Sequence, residues 1–308
     1  MTDAPEAENP QDESRTNAVF RIHVREVIMF DTRKGLRRTV TRIAAATAGV
    51  AAVTLATACT ASTTQAEPGD DAPKPTVVLV HGAFADASSW NAVVDKLVAD
   101  KYPVVAAADP LRGPASDAAT VRGLIDSIDG PVVLVGHSYG GSVISTAAAG
   151  SDKVKALVYV AAFEPAPGES ALELTNKFPG STLPGTLHPV PFTGPGNVSG
   201  TDLYIQQDKY PHQFAADVPA DKARLAAVTQ RPIAQAALEE KATVAAWMDK
   251  PSWAVVTTAD LNIPVAAQRF MAERAHSQVT EVDASHSVAV SHPDIVAETI
   301  EKADRATR

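Results

Sequence analysis

The feature that most constrains this chain is a junction near its middle. An unbroken apolar run at 131–135 enters Gly136-His137-Ser138-Tyr139-Gly140-Gly141, and a small-residue stretch with helical character, 142–149, follows at once. A serine held in G-x-S-x-G between strand and helix must take a strained backbone, and the flanking glycines remove Cβ atoms that would clash there. It then stands above the carboxyl end of its strand, facing the positive end of the next helix, where negative charge is favoured. The pattern predicts a nucleophile at Ser138 and a strand–helix–strand sheet around it.

The rest of the chain supplies that sheet. A short apolar, β-branched run at Thr76–Val80 reads as a first strand, and 103–108, 131–135, 154–162, 252–258 and Gln278–Val282 read as five more. Between or after them, 88–100, 115–128, 142–149 and 293–303 read as helices; Trp90, Val93, Val94, Leu97 and Val98 share one face of the first. Continuous apolar strands alternating with helices predict an α/β fold: a mostly parallel, doubly wound sheet covered on both sides. The interval 164–250 breaks this rhythm. A Pro/Gly-rich loop runs through Pro195, and helical patterns follow at 222–228 and 232–247. A stretch that long is too large for a simple loop, so an inserted helical cap is expected there.

A serine hydroxyl is a weak nucleophile and needs a base. Of eight histidines, His286 is the one between the last strand and the last helix. His292 reads as helix-start structure beside Pro293, and His137 as packing within the turn. For the acid that orients His286, Asp260 follows the fifth strand after a short turn, Glu164 follows the fourth, and Asp283 ends the sixth. Asp260 is the leading candidate of the three. An oxyanion developing on the substrate needs two backbone N–H donors. Tyr139, just after the nucleophile, is one; Ala83 is expected as the second, with Phe84 next, from the loop His81-Gly82-Ala83-Phe84. Phe84, Phe163, Trp247 and Trp253 are candidates for an apolar pocket wall. Nothing in the pattern calls for a metal or organic cofactor.

Charge narrows the partners. The chain of 308 residues carries a net charge of −9. Residues 1–58 hold eight basic and seven acidic groups, so the remainder is left at −10. A body that acidic repels phosphate backbones, which excludes nucleic-acid binding as a main activity. The single cysteine, Cys59, excludes intramolecular disulfides, cysteine-based zinc sites and CxxC chemistry. Its position is informative. A basic cluster (Arg33, Lys34, Arg37, Arg38, Arg42) precedes an uncharged, alanine-rich stretch at 43–58, the layout of an export signal. Ala56-Thr57-Ala58 has the small-x-small form cut by signal peptidases, and with Cys59 it resembles a loose lipoprotein box. Residues 1–58 are therefore expected to be a cleaved N-terminal extension and signal, 59–75 a flexible tether, and 76–308 the folded domain. The protein is expected to be exported, secreted or held at the cell surface, touching membrane only through a lipid on Cys59.

These motifs together resemble the α/β-hydrolase fold superfamily, within it the small esterase-like members that include plant methylesterases and hydroxynitrile lyases. Val77-Val78-Leu79-Val80-His81-Gly82-Ala83 with Trp90 is similar to that group's opening. Ala161-Ala162-Phe163-Glu164-Pro165 is similar to its entry into the cap. Thr258-Ala259-Asp260-Leu261-Asn262-Ile263-Pro264, followed by Gln268-Arg269-Phe270, is similar to its acid turn and next helix. The resemblance implies a Ser138–His286–Asp260 triad beneath a cap and hydrolysis of a small-molecule ester. The group's lyases carry a lysine directly after the histidine and a threonine where Gly82 stands; here the residue after His286 is Ser287. Cyanohydrin cleavage is accordingly disfavoured. A catalytically slow ligand-binding protein, or lyase or perhydrolase chemistry on the same residues, is the competing expectation.

Overall fold

The computed structural model describes residues 73–308 apart from Pro195 and Asn197. The expected export segment, cleavage site, Cys59 and most of the tether lie outside the described residues.

The chain enters the fold through β1 (Thr76–Val80) and α1 (Asn91–Ala99), then β2 (Val104–Ala107), α2 (Pro114–Ser127), β3 (Val132–His137), α3 (Gly140–Ala147) and β4 (Val154–Val160). The inserted segment contributes α4 (Ala171–Asn176), β5 (Leu187–Thr193), β6 (Ser199–Ile205), α5 (Tyr210–Phe214), α6 (Ala220–Thr229), β7 (Ile233–Ala234) and α7 (Gln235–Glu239). The core resumes with β8 (Ser252–Thr257), α8 (Val265–Arg274), β9 (Gln278–Val282), α9 (Val288–Ser291) and α10 (Pro293–Thr307).

The six core strands lie in the order β2-β1-β3-β4-β8-β9, and every neighbouring pair is parallel. Alternate residues serve opposite faces, as the pleat requires. Val78, Val80, Leu134, Leu157, Tyr159 and Val256 pack with residues of α2 and α3. Their neighbours Val77, Leu79, Val133, Val158 and Val255 pack with residues of α1 and α10. β1, β3 and β8, buried on both sides, are apolar nearly without interruption, whereas the edge strand β9 keeps Gln278 and Glu281 exposed.

The cap departs from expectation. It is helical only in part, because β5, β6 and β7 form a three-stranded antiparallel sheet. The stretch read as loop contains β5, whose Pro189 and Pro191 speak against a strand. They recur two residues apart on an edge strand, so both missing N–H groups can face outward where no ladder bond is lost. The helix expected over 232–247 is also broken. Ile233 and Ala234 pair with β6, and the Ala234 N–H donates to the Leu111 carbonyl at 3.0 Å. α7 ends at Glu239, and Ala246–Met248 adds only a 3₁₀ turn.

Glu164, where the chain leaves β4 for the cap, is fully enclosed. Its carboxylate accepts the Ser277 hydroxyl at 3.0 Å, and Arg274 donates to its backbone carbonyl at 2.8 Å. Burial raises its pKa from the ordinary 4.5 to about 8, against the lowering influence of Ser277 and Arg274. The folded state therefore keeps a proton on Glu164 across a range where the unfolded chain has released it. That linkage makes stability fall as pH rises from about 4.5 to about 8, by at most ~1.4 kcal/mol per pH unit. Glu164→Gln lacks this slope. Thermal unfolding of both proteins from pH 5 to 8 should show the variant gaining on the wild type as pH rises; parallel curves would refute a protonated Glu164.

Candidate active site

The strand order places the site before any side chain is considered. From β1 the chain runs to one sheet edge, through β2; from β3 it runs to the other, through β4, β8 and β9. The loops leaving β1 and β3 therefore diverge, and a crevice forms at their carboxyl ends. Ser138 leaves β3 there and His81–Phe84 leaves β1.

Ser138 has φ +54, a left-handed backbone uncommon for any residue with a Cβ. Its carbonyl accepts the N–H groups of Gly141 and Phe163 at 3.0 and 3.1 Å, and its N–H donates to Val160. These bonds hold the strained turn. The surroundings leave no room for side chains beside it. A Cβ on Gly82 would sit 2.6 Å from the Ser138 Cβ and 2.7 Å from the His137 carbonyl oxygen. One on Gly136 would meet the Gly140 carbonyl oxygen at 2.6 Å.

The structure brings Ser138, His286 and Asp260 together. The Ser138 hydroxyl lies 2.8 Å from His286 Nε2, and His286 Nδ1 lies 2.7 Å from Asp260 Oδ2. Nδ1–H donating to the carboxylate leaves the Nε2 lone pair free to accept the serine proton. Asp260 is itself held from several sides. The N–H groups of Asn262 and Ile263 donate to Oδ1 at 2.7 and 3.1 Å, and the Thr257 hydroxyl and Gln268 amide donate to Oδ2 at 3.1 and 3.0 Å. These donors satisfy a carboxylate that is almost wholly buried. Gln268 lies on the buried face of α8, and its polarity there was the available clue to this role.

The other acid candidates are elsewhere. Glu164 bonds to Ser277, and Asp283 is exposed and accepts the Thr258 hydroxyl at 3.2 Å. His137 does more than pack. Its Nε2 donates to the His286 backbone carbonyl at 2.9 Å, and the two rings lie 4.8 Å apart. Burial, with the neighbouring His286 next in importance, lowers its pKa to about 3 and keeps it neutral. The hydroxyl of Ser287 donates to the Phe214 carbonyl at 2.9 Å.

Two backbone N–H groups border Ser138. Among the described residues, those of Ala83 and Tyr139 have no hydrogen-bond acceptor. The Phe84 N–H, the alternative donor, is engaged by the Arg231 carbonyl at 2.9 Å. The Tyr139 side chain is anchored away from the crevice, its hydroxyl donating to Asp117 at 2.8 Å. Asp117 also accepts the Arg112 and Gly113 N–H groups at 2.9 and 3.2 Å. On the β1 side, His81 Nε2 accepts the Asp109 N–H at 3.1 Å, and burial lowers the pKa of this histidine.

A cavity of about 70 Å³ opens beside Ser138 and His286. Phe84 and Phe163 line it, as expected, together with Leu183, Leu187, Phe214 and Ile263. Trp247 and Trp253 do not. Trp247 donates its indole N–H to the Pro165 carbonyl at 3.0 Å and stacks under Arg274. Trp253 points from β8 into the opposite layer, with Val296 and Ile300 of α10. Strand parity decides that direction. Leu183, Leu187 and Phe214 reach the cavity only through the cap's tertiary path, and local pattern carried no signal for them. Among the described residues no group of three His, Cys, Asp or Glu side chains is placed to hold a metal ion.

Comparison with known proteins agrees with this architecture. The family model described as "Alpha/beta hydrolase family" matches residues 77–299. The alpha/beta hydrolase nvfD of Aspergillus novofumigatus is 28% identical over 252 residues, 75% of this chain and 96% of that protein. The pyrethroid hydrolase of Sphingobium wenxiniae is 27% identical over 250 residues, 73% of this chain and 85% of that protein. The crystal structure of polyneuridine aldehyde esterase superposes with a TM-score of 0.65 at 20% identity, over 74% of this chain and 98% of that one, a likeness of fold. With a matched core of 77–299 built around this elbow and sheet, the chain belongs to the alpha/beta hydrolase family.

Proposed function

We propose that the protein is a serine hydrolase that cleaves a small carboxylic ester through an acyl-enzyme. The observation that carries the reading is the hydrogen-bonded chain Ser138–His286–Asp260, at 2.8 and 2.7 Å, beside two backbone N–H groups with no other partner. Ser138 Oγ attacks the ester carbonyl while His286 Nε2 takes its proton. Ala83 and Tyr139 N–H groups stabilise the oxyanion, a contribution of a few kcal/mol per donor. As the tetrahedral intermediate collapses, the alcohol leaves with the proton held by His286. Water then attacks the acyl group, giving its proton to His286, and the free acid departs as Ser138 is reprotonated. Asp260 holds the imidazole tautomer and stabilises the imidazolium. A cavity of about 70 Å³ suits a short acyl or alcohol group. The relatives, a pyrethroid hydrolase and an esterase among them, support hydrolysis as the reaction class.

The expected signature is a burst of p-nitrophenol from p-nitrophenyl acetate and rapid labelling by a fluorophosphonate probe. Ser138→Ala should abolish both, and Asp260→Asn should lower kcat by roughly 10³–10⁴-fold with the fold intact. Gly82→Ala, whose new methyl would collide with Ser138, should lower kcat/KM by about 10²-fold, in keeping with an ångström-scale misplacement of a reacting group. Equal turnover by Ser138→Ala would remove the mechanism.

Export is part of the same proposal. The basic cluster 33–42, the uncharged stretch 43–58 and Ala56-Thr57-Ala58-Cys59 support a signal cut before Cys59, with the lone thiol as lipid acceptor. Metabolic labelling with palmitate and fractionation of producing cells should find a lipid-labelled membrane form. Cys59→Ala should lose the label and release the protein; unprocessed protein in the cytosol would contradict export.

A further inference from the structure

A second chamber, of about 370 Å³, lies behind the site. Cap residues Ala215, Val218 and Ala226 line it, as do Ala289 and Val290 of α9. Its lining has only Phe84 and Phe214 in common with that of the Ser138 cavity. Their rings meet edge to face, 6.2 Å apart, and make a partition. Polar groups gather at the mouth: Ser88 and Lys222 are solvent-exposed, while the carboxylate of Asp86 is occupied by the N–H of Ser88 at 2.7 Å.

Size separates the two spaces. A dry cavity of about 150 Å³ takes benzene, and sites for larger small molecules span roughly 300–1,000 Å³. The Ser138 cavity is below the first figure, and the second chamber is within the range of the latter. Alanine, valine and ring edges supply most of the exposed lining; of its charged groups Lys222 is solvent-exposed and Asp86 is engaged by Ser88, while the buried His137 is neutral, so an ionised ligand would lose hydration with little compensation.

We infer that this chamber is a second binding site, for an uncharged apolar molecule about the size of two fused rings, separate from the nucleophile cavity. Its occupant touches Phe84, Phe214 and His137. Two of these three pack directly on His286, with ring centres 4.8 Å away in each case. The site is thus built against the base without opening onto it.

N-phenyl-1-naphthylamine, uncharged and fluorescent in apolar surroundings, is a suitable probe for the full-length chain. One-to-one saturable binding in the micromolar range is expected. Ala226→Trp and Val290→Trp, which add bulk to the chamber from the cap and from α9, should each weaken binding at least tenfold. Both should melt within a few degrees of the wild type and hydrolyse p-nitrophenyl acetate within about threefold of it. Phenylmethylsulfonyl fluoride on Ser138 should leave binding within twofold. Unchanged binding in both tryptophan variants, or loss of binding after Ser138 is blocked, overturns the second site. Failure of Ser138 to react at all would count against the proposed hydrolase mechanism, while the tryptophan variants would still decide the chamber.

Discussion

The close approach of two strand ends around one strained serine is the constraint on which the rest of this structure depends. Ser138 can hold φ +54 only because its carbonyl and N–H are bonded to Gly141, Phe163 and Val160. Those bonds require β3 and β4 to lie in parallel register with α3 starting immediately. The same approach forbids a Cβ at position 82, so the β1 loop can come within van der Waals distance of the serine. The strain is offset by the surrounding sheet, whose central strands are fully buried.

Around that turn the polar groups form two sets with different tasks. The Asp260 set aims charge at His286, and its donors come from the β8 turn and α8. The Asp117 set anchors Tyr139 and the β2 loop. Within it, Asp109 is buried with one carboxylate oxygen lacking a hydrogen-bond partner, and burial together with the nearby Asp117 holds its pKa well above the usual range. The two facts have one cause: a buried oxygen with no donor facing it makes the ionised carboxylate costly, which favours the neutral form. His81 ties this set to the β1 loop through the Asp109 N–H. The backbone donors beside Ser138 are thus supported from beneath by side chains that never face the crevice.

The cap is joined to these sets by hydrogen bonds to backbone carbonyls. Phe84 donates to Arg231 and accepts from the Tyr210 hydroxyl at 2.9 Å, and Ser287 donates to Phe214. Phe214 in turn packs on His286. The segment with the weakest local pattern therefore touches both the β1 loop and His286, and it lines both cavities.

Much of this was legible in the order of residues. All six core strands were placed to within two residues at each end; apolar runs marked β1, β3 and β8, which are buried on both faces, while β9, with Gln278 and Glu281 exposed at the sheet edge, was marked by its place after α8. The strand–turn–helix at Gly136, Ser138 and Gly140 was visible as pattern, and His286 and Asp260, which the structure brings to Ser138, stood out by their places after strands. What pattern could not reach depends on distant partners. The prolines of β5 hide a strand that exists by pairing with β6. The backbone of 231–234 bonds to Phe84 and Leu111 instead of to itself, so a helical pattern there yields a strand and one short helix. Trp253 turns from the site by strand parity against α10, and Phe214 turns into it by the path of the cap. Sequence alone settled the fold class and which side chains could meet, since burial and backbone strain act locally. Only the tertiary structure decided which acid reaches His286, which N–H groups stay free, and how much room lies beside the serine. Those are distances between elements far apart in the chain.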